Sequence, residues 1–150
     1  MTKVNKVEEL AVGAPPAAYD PYQALASAIV EQAAKDLRHA YRRRYSANDR
    51  IEEYQAAVAE LEAAIADADD EADDEGLRTL YGNLNAARRL LSRARQALTM
   101  AQISVDECES FFLGDWFAAL SDLNGAALLD GIEREERIRH RKKAGACQGL

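Results

Sequence analysis

The chain has 150 residues, which suits one domain with a modest core. Its hydrophobic share of 48% is rich in alanine, so the apolar area available per residue is smaller than that figure suggests. A net charge of −7 argues against broad electrostatic attraction to nucleic acid, though an acidic average does not exclude a local basic face. The two cysteines, Cys108 and Cys147, lie far apart, as in a reducing cytosol rather than a disulfide framework. The first residues lack the apolar run of a signal peptide, and no stretch is apolar for long enough to span a bilayer. These features lead us to expect a cytoplasmic protein without a membrane partner.

Residues 1–18 show no sustained period and carry Gly13, Pro15 and Pro16, so they read as a flexible leader. The first helix opens at Asp20-Pro21-Tyr22-Gln23: a cap, a proline at the first helical position and a capping-box glutamine. Tyr22, Leu25, Ile29, Ala33, Leu37 and Tyr41 then recur at three- and four-residue steps, predicting an amphipathic helix to about Arg44. Its basic end, Arg38, His39, Arg42, Arg43 and Arg44, complements the helix dipole. Ser46-Ala47-Asn48-Asp49 offers a break and a new cap.

The clearest rhythm follows. Ile51, Tyr54, Val58, Leu61, Ile65, Ala68 and Ala72 alternate steps of three and four. After Gly76 the rhythm restarts at Leu77, Leu80, Leu84, Ala87, Leu91, Ala94, Leu98, Ala101 and Val105. Two heptad-patterned helices joined by a short polar turn predict an antiparallel coiled-coil hairpin. The second arm should continue to Phe112 and stop near Gly114, with Asp115 capping a short helix through Leu120. Asn124 or Asp122 caps a final helix bearing Leu128, Leu129 and Ile132, which should dissolve through the basic stretch Arg137–Lys143.

The expected architecture is therefore all-α: a small helical bundle with a long antiparallel coiled-coil hairpin inserted between the first helix and the C-terminal short helices. Residues 19–45 and 105–143 form the helical core, 46–104 the hairpin, and 144–150 a frayed tail. Leu25, Ile29, Leu37, Phe111, Phe112, Trp116 and Leu120 are the candidate core.

Known chemistries find little to match. Acids crowd the hairpin apex, but a calcium loop starting at Asp67 would need glycine where Ala72 stands and glutamate where Arg78 stands. A carboxylate-bridged metal site needs Glu-x-x-His twice, and Asp36-x-x-His39 is a single match with the wrong acid. The chain lacks the nucleophile elbow, the phosphate-cradling glycine loop and the Cys-x-x-Cys pair. Glu107 and Glu109 flank Cys108 and should raise its pKa rather than activate it. In a helix-turn-helix reading, the second helix would meet bases with Ala126, Ala127 and Leu128, which disfavours sequence-specific nucleic-acid recognition.

Two blocks carry a resemblance. Ala28-Ile29-Val30-Glu31-Gln32-Ala33 with Asp36-Leu37-Arg38 forms the first. The second is Glu109-Ser110-Phe111-Phe112, Asp115-Trp116-Phe117 and Leu120-Ser121-Asp122-Leu123-Asn124-Gly125. Together they resemble small helical proteins encoded on bacterial prophages and integrative conjugative elements. This chain differs at Leu37, where those proteins usually have tyrosine, and at Leu113-Gly114, where a polar residue and serine are usual. The resemblance implies a mobile-element setting and brings no catalytic residue with it.

The sequence thus points to a noncatalytic protein, not an enzyme, with no cofactor and no metal, that acts on a protein partner and can self-associate through its alanine-rich seam. Candidate partner-binding residues are Asp69, Asp70, Glu71, Asp73, Asp74 and Glu75 at the apex, with Trp116 and Phe117 in the aromatic block. Arg42, Arg43 and Arg44 are candidate phosphate contacts. Two other roles fit the same residues: an acidic inhibitor of a host nuclease or defence complex, and a nonspecific nucleic-acid binder working through the basic helix ends.

Overall fold

A computed structural model describes residues 20–68 and 73–148. Over these residues the chain is all-α. Four helices follow in order: α1 (Pro21–Asp67), α2 (Asp74–Leu113), α3 (Asp115–Leu120) and α4 (Gly125–Gln148). The leader, the apex acids Asp69, Asp70 and Glu71, and the last expected seam residue of the first arm, Ala72, lie outside the described residues.

α1 begins as its sequence dictates. The Asp20 carboxylate accepts from the Tyr22 N–H at 2.9 Å, and Pro21 occupies a position where no N–H is needed. The helix then continues for 47 residues through the break expected at Ser46–Asp49. Helical Ser, Asn and Asp cost only about 0.5 kcal/mol each relative to alanine. A break would instead strip intrahelical partners from several backbone groups and lift Ala47, 3% exposed, out of the seam with α2. Between Tyr22 and Asp67 neither proline nor glycine interrupts the chain.

α2 runs antiparallel to α1, and cross-helix pairs fix the register. Tyr41 meets Glu109, Arg44 meets Gln102, and Glu62 meets Arg88. The expected seam is present: Leu84, Ala87, Leu91, Ala94, Ala101 and Val105 are buried, facing half-buried Ile51, Tyr54, Val58, Leu61 and Ile65. At its start, the Asp73 carboxylate accepts from the Gly76 N–H at 2.9 Å. The helix stops at Gly114, but with φ −92° and ψ 173° rather than in a left-handed conformation. Glycine suits the site for space, since an added Cβ would sit 2.9 Å from the Ser110 carbonyl oxygen. Gly114 is also the N-cap of α3, while Asp115 is the first residue inside that helix rather than its cap.

Asn124 caps α4, its Oδ1 accepting from the Ala127 N–H at 3.2 Å. Beyond Arg137 the helix does not dissolve but continues to Gln148, including much of the expected frayed tail. Side chains facing α1 hold its middle, and the remaining residues are mostly good helix formers.

All four helices meet at one end of the hairpin. Leu37, Ala40, Tyr41, Val105, Phe112, Phe117, Leu129 and Ile132 form the buried core. Phe111 packs partly against it, and Leu120 is half-buried. Leu25 and Trp116 depart from expectation at 60% and 75% exposed, and Ile29 is also exposed. The register explains the α1 pair: α2 ends one turn past Glu109, so the opening turns of α1 have no α2 beside them. Trp116 and Phe117 are neighbours on one short helix and face different ways, and Phe117 is the one that enters the core.

Candidate functional site

The two basic segments of the sequence, more than ninety residues apart, come together in space. α4 packs alongside the first half of α1 and runs in the same direction. Glu135 lies opposite Arg38, Glu136 opposite Arg42 and His140 opposite Tyr45. Between them opens a groove of about 800 Å³. Its α1 wall carries His39, Arg43, Ser46, Asp49 and Glu53, spaced so that all share one helical face. Arg139, His140 and Lys143 form the α4 wall.

The floor is an ion pair that the sequence did not announce. Glu136 is only 3% exposed, yet both of its oxygens are satisfied. Arg42 donates from Nε to Oε2 at 2.9 Å and from Nη2 to Oε1 at 3.0 Å. Arg38 stands 3.7 Å from Glu136 while donating to Glu135 at 2.6 Å. The bidentate hydrogen bonds from Arg42 hold the Glu136 carboxyl below the usual carboxylate range, outweighing the opposing effect of burial. Reciprocally, Glu136 raises the pKa of Arg42. The signal for this pair was faint: on an α4 face otherwise apolar at Leu128, Leu129 and Ile132, Glu136 continues the three- and four-residue steps.

A second polar contact ties α1 to α2. The buried Tyr41 hydroxyl donates to Glu109 at 2.8 Å. Burial, then the Glu109 carboxylate, pushes the Tyr41 phenol well above its ordinary range. At the side of the groove, the Tyr45 ring stacks on His140 with centroids 4.7 Å apart, and His140 Nε2 lies 3.4 Å from the Asp49 carboxylate.

The candidate residues separate accordingly. Of the three consecutive arginines, Arg42 is committed to Glu136. Arg44 lies over the rings of Tyr41 and Tyr45, at 5.0 and 5.8 Å. Arg43 is exposed and lines the groove. Asp73, Asp74 and Glu75 are exposed at the far end of the hairpin. Trp116 is exposed and Phe117 buried. Cys108 is half-buried against the core, and its thiol pKa is raised first by burial and then by Asp36 and Glu107. Flanking charge was the expected cause; desolvation is the larger one. Among the described residues, no three His, Cys, Asp or Glu side chains converge as a metal site, and no helix is long and apolar enough to cross a membrane.

No protein-family model, curated protein or solved structure matches the chain.

Proposed function

We propose that this chain is a noncatalytic protein of a bacterial mobile element, acting by contact with another protein and using its hairpin as the contact arm. The observation that carries the reading is where the tip lies. Past Glu53, the last α1 residue in the groove with α4, α1 and α2 continue together for about 21 Å. They end with Asp67, Asp73, Asp74 and Glu75 exposed. Much of the α2 side of the seam is alanine, which buries little area per layer and adds little to core stability. Reach and an acidic end are what the arm contributes, and both suit a partner with a basic face. The mobile-element setting rests on the first-helix and C-terminal blocks quoted above.

If the basic face belongs to a nucleic-acid channel, the chain is an acidic inhibitor, and complex formation weakens steeply with added salt. The test compares capture from bacterial lysate by the intact chain and by a chain whose acids between 67 and 75 are replaced by Ser and Asn. Loss of a captured protein with the acids supports the arm. Equal retention by both chains removes the tip from the interface and overturns it.

A further inference from the structure

We infer that the groove between α1 and α4 is a binding site for phosphate-bearing anions, with Arg43, Arg139 and Lys143 as its donors. Its volume, about 800 Å³, lies in the range of small-molecule sites, roughly 300–1,000 Å³. Its charge distribution is the stronger argument. Arg38, Arg42 and Arg44 are occupied by Glu135, Glu136 and the tyrosine rings. Among the described residues, Arg43, Arg139 and Lys143 make no ion pair, although Arg139 is close enough to Glu136 to favour its charged form. These three exposed cations nevertheless line one concavity in a chain whose net charge is −7.

The lining sets Arg42, Arg43, Arg139 and Lys143 against Glu136, Asp49 and Glu53. Glu136 is spent on Arg42, however, and the other two acids lie at one end. The cations at the other end repel one another, and a bound polyanion relieves that cost. A phosphate has oxygens enough to accept from guanidinium groups on both walls at once. The frame needs little rearrangement to receive a ligand, because the Arg42–Glu136 pair and the Tyr45–His140 stack already hold α4 beside α1. Asp49 and Glu53 lie farther along α1, on the Lys143 side, and turn that end of the groove acidic, so Arg43 and Arg139 are the principal donors and Lys143 a peripheral one.

Isothermal titration calorimetry at about 50 mM salt tests this with tripolyphosphate, ATP and a short DNA duplex, using the full chain. Two triple variants remove equal charge: Arg43→Gln, Arg139→Gln and Lys143→Gln in the groove; Arg89→Gln, Arg93→Gln and Arg95→Gln on the exposed surface of α2. All six positions are exposed, and matching thermal midpoints verify that both variants fold. The expected result is tripolyphosphate binding that weakens about tenfold or more in the groove variant and less than about twofold in the α2 variant. Tighter binding of ATP than of tripolyphosphate identifies a free nucleotide as the phosphate source, and tighter binding of the duplex identifies a nucleic-acid backbone. Absence of binding by all three ligands up to about 1 mM, or equal weakening in the two variants, overturns the site.

Discussion

Among the described residues Glu136 is the most heavily buried charge, and Arg42 is what makes its burial tolerable. Folding lowers the proton affinity of this carboxyl. It therefore contributes stability above the ordinary carboxylate range, near pH 4, and loses that contribution as pH falls through its lower folded value. In urea unfolding at neutral pH, Glu136→Gln should be less stable than the parent chain, and the gap should close as the pH drops toward about 3. A gap that stays constant with pH would mean that the pair adds no ionisation-linked stability. Two glycines make an opposed pair at the same scale. A Cβ at Gly82 would meet nothing within 4 Å, so Gly82→Ala should stabilise by about 0.5–1 kcal/mol. At Gly125 the Cβ would fall 2.0 Å from the Phe112 carbonyl oxygen and 3.2 Å from the Phe117 ring. Gly125→Ala should cost about 1–3 kcal/mol by forcing α4 away from the end of α2. Equal thermal midpoints for the two variants would contradict this contrast.

At the scale of elements, the decisive feature is the unbroken α1. Asn48 is exposed in mid-helix rather than at a cap. Asn48→Ala should therefore stabilise by roughly 0.5 kcal/mol, whereas at an N-cap the same change would destabilise by about 1 kcal/mol. The sign of the shift in a denaturation midpoint separates the two. Continuity was in fact legible: stepping back from Ile51 through Ala47, Arg44, Ala40 and Leu37 preserves the alternation of four and three. Polar residues with modest helix propensity masked it, because local capping preference competes with a tertiary seam that only the fold reveals. The hairpin itself was readable because its apolar rhythm is long and its turn is polar. The groove was not. Its two walls lie far apart in sequence, and the committed Arg42 looks like its free neighbour Arg43 until the register of α4 against α1 is known. Exposure at Leu25 was likewise hidden, since periodicity marks an apolar face without showing where its cover ends.

At the scale of the whole molecule, the arm sets the dimensions. A helix of 47 residues is about 70 Å long, while a compact chain of this length has a radius of gyration near 15 Å. Small-angle scattering should give a radius above about 20 Å and a maximum dimension of at least about 70 Å. A compact profile would mean that the hairpin folds back on the core. One consequence of the uninterrupted α1 concerns spacing. Arg42 and Asp67 sit on the same rigid rod, 25 residues or about 38 Å apart, with no hinge residue between them. The protein is in that sense a ruler: anything gripped at its acidic end is held a fixed distance from whatever occupies the groove. Inserting one heptad into both arms should lengthen that distance by about 10 Å while preserving the face each end presents.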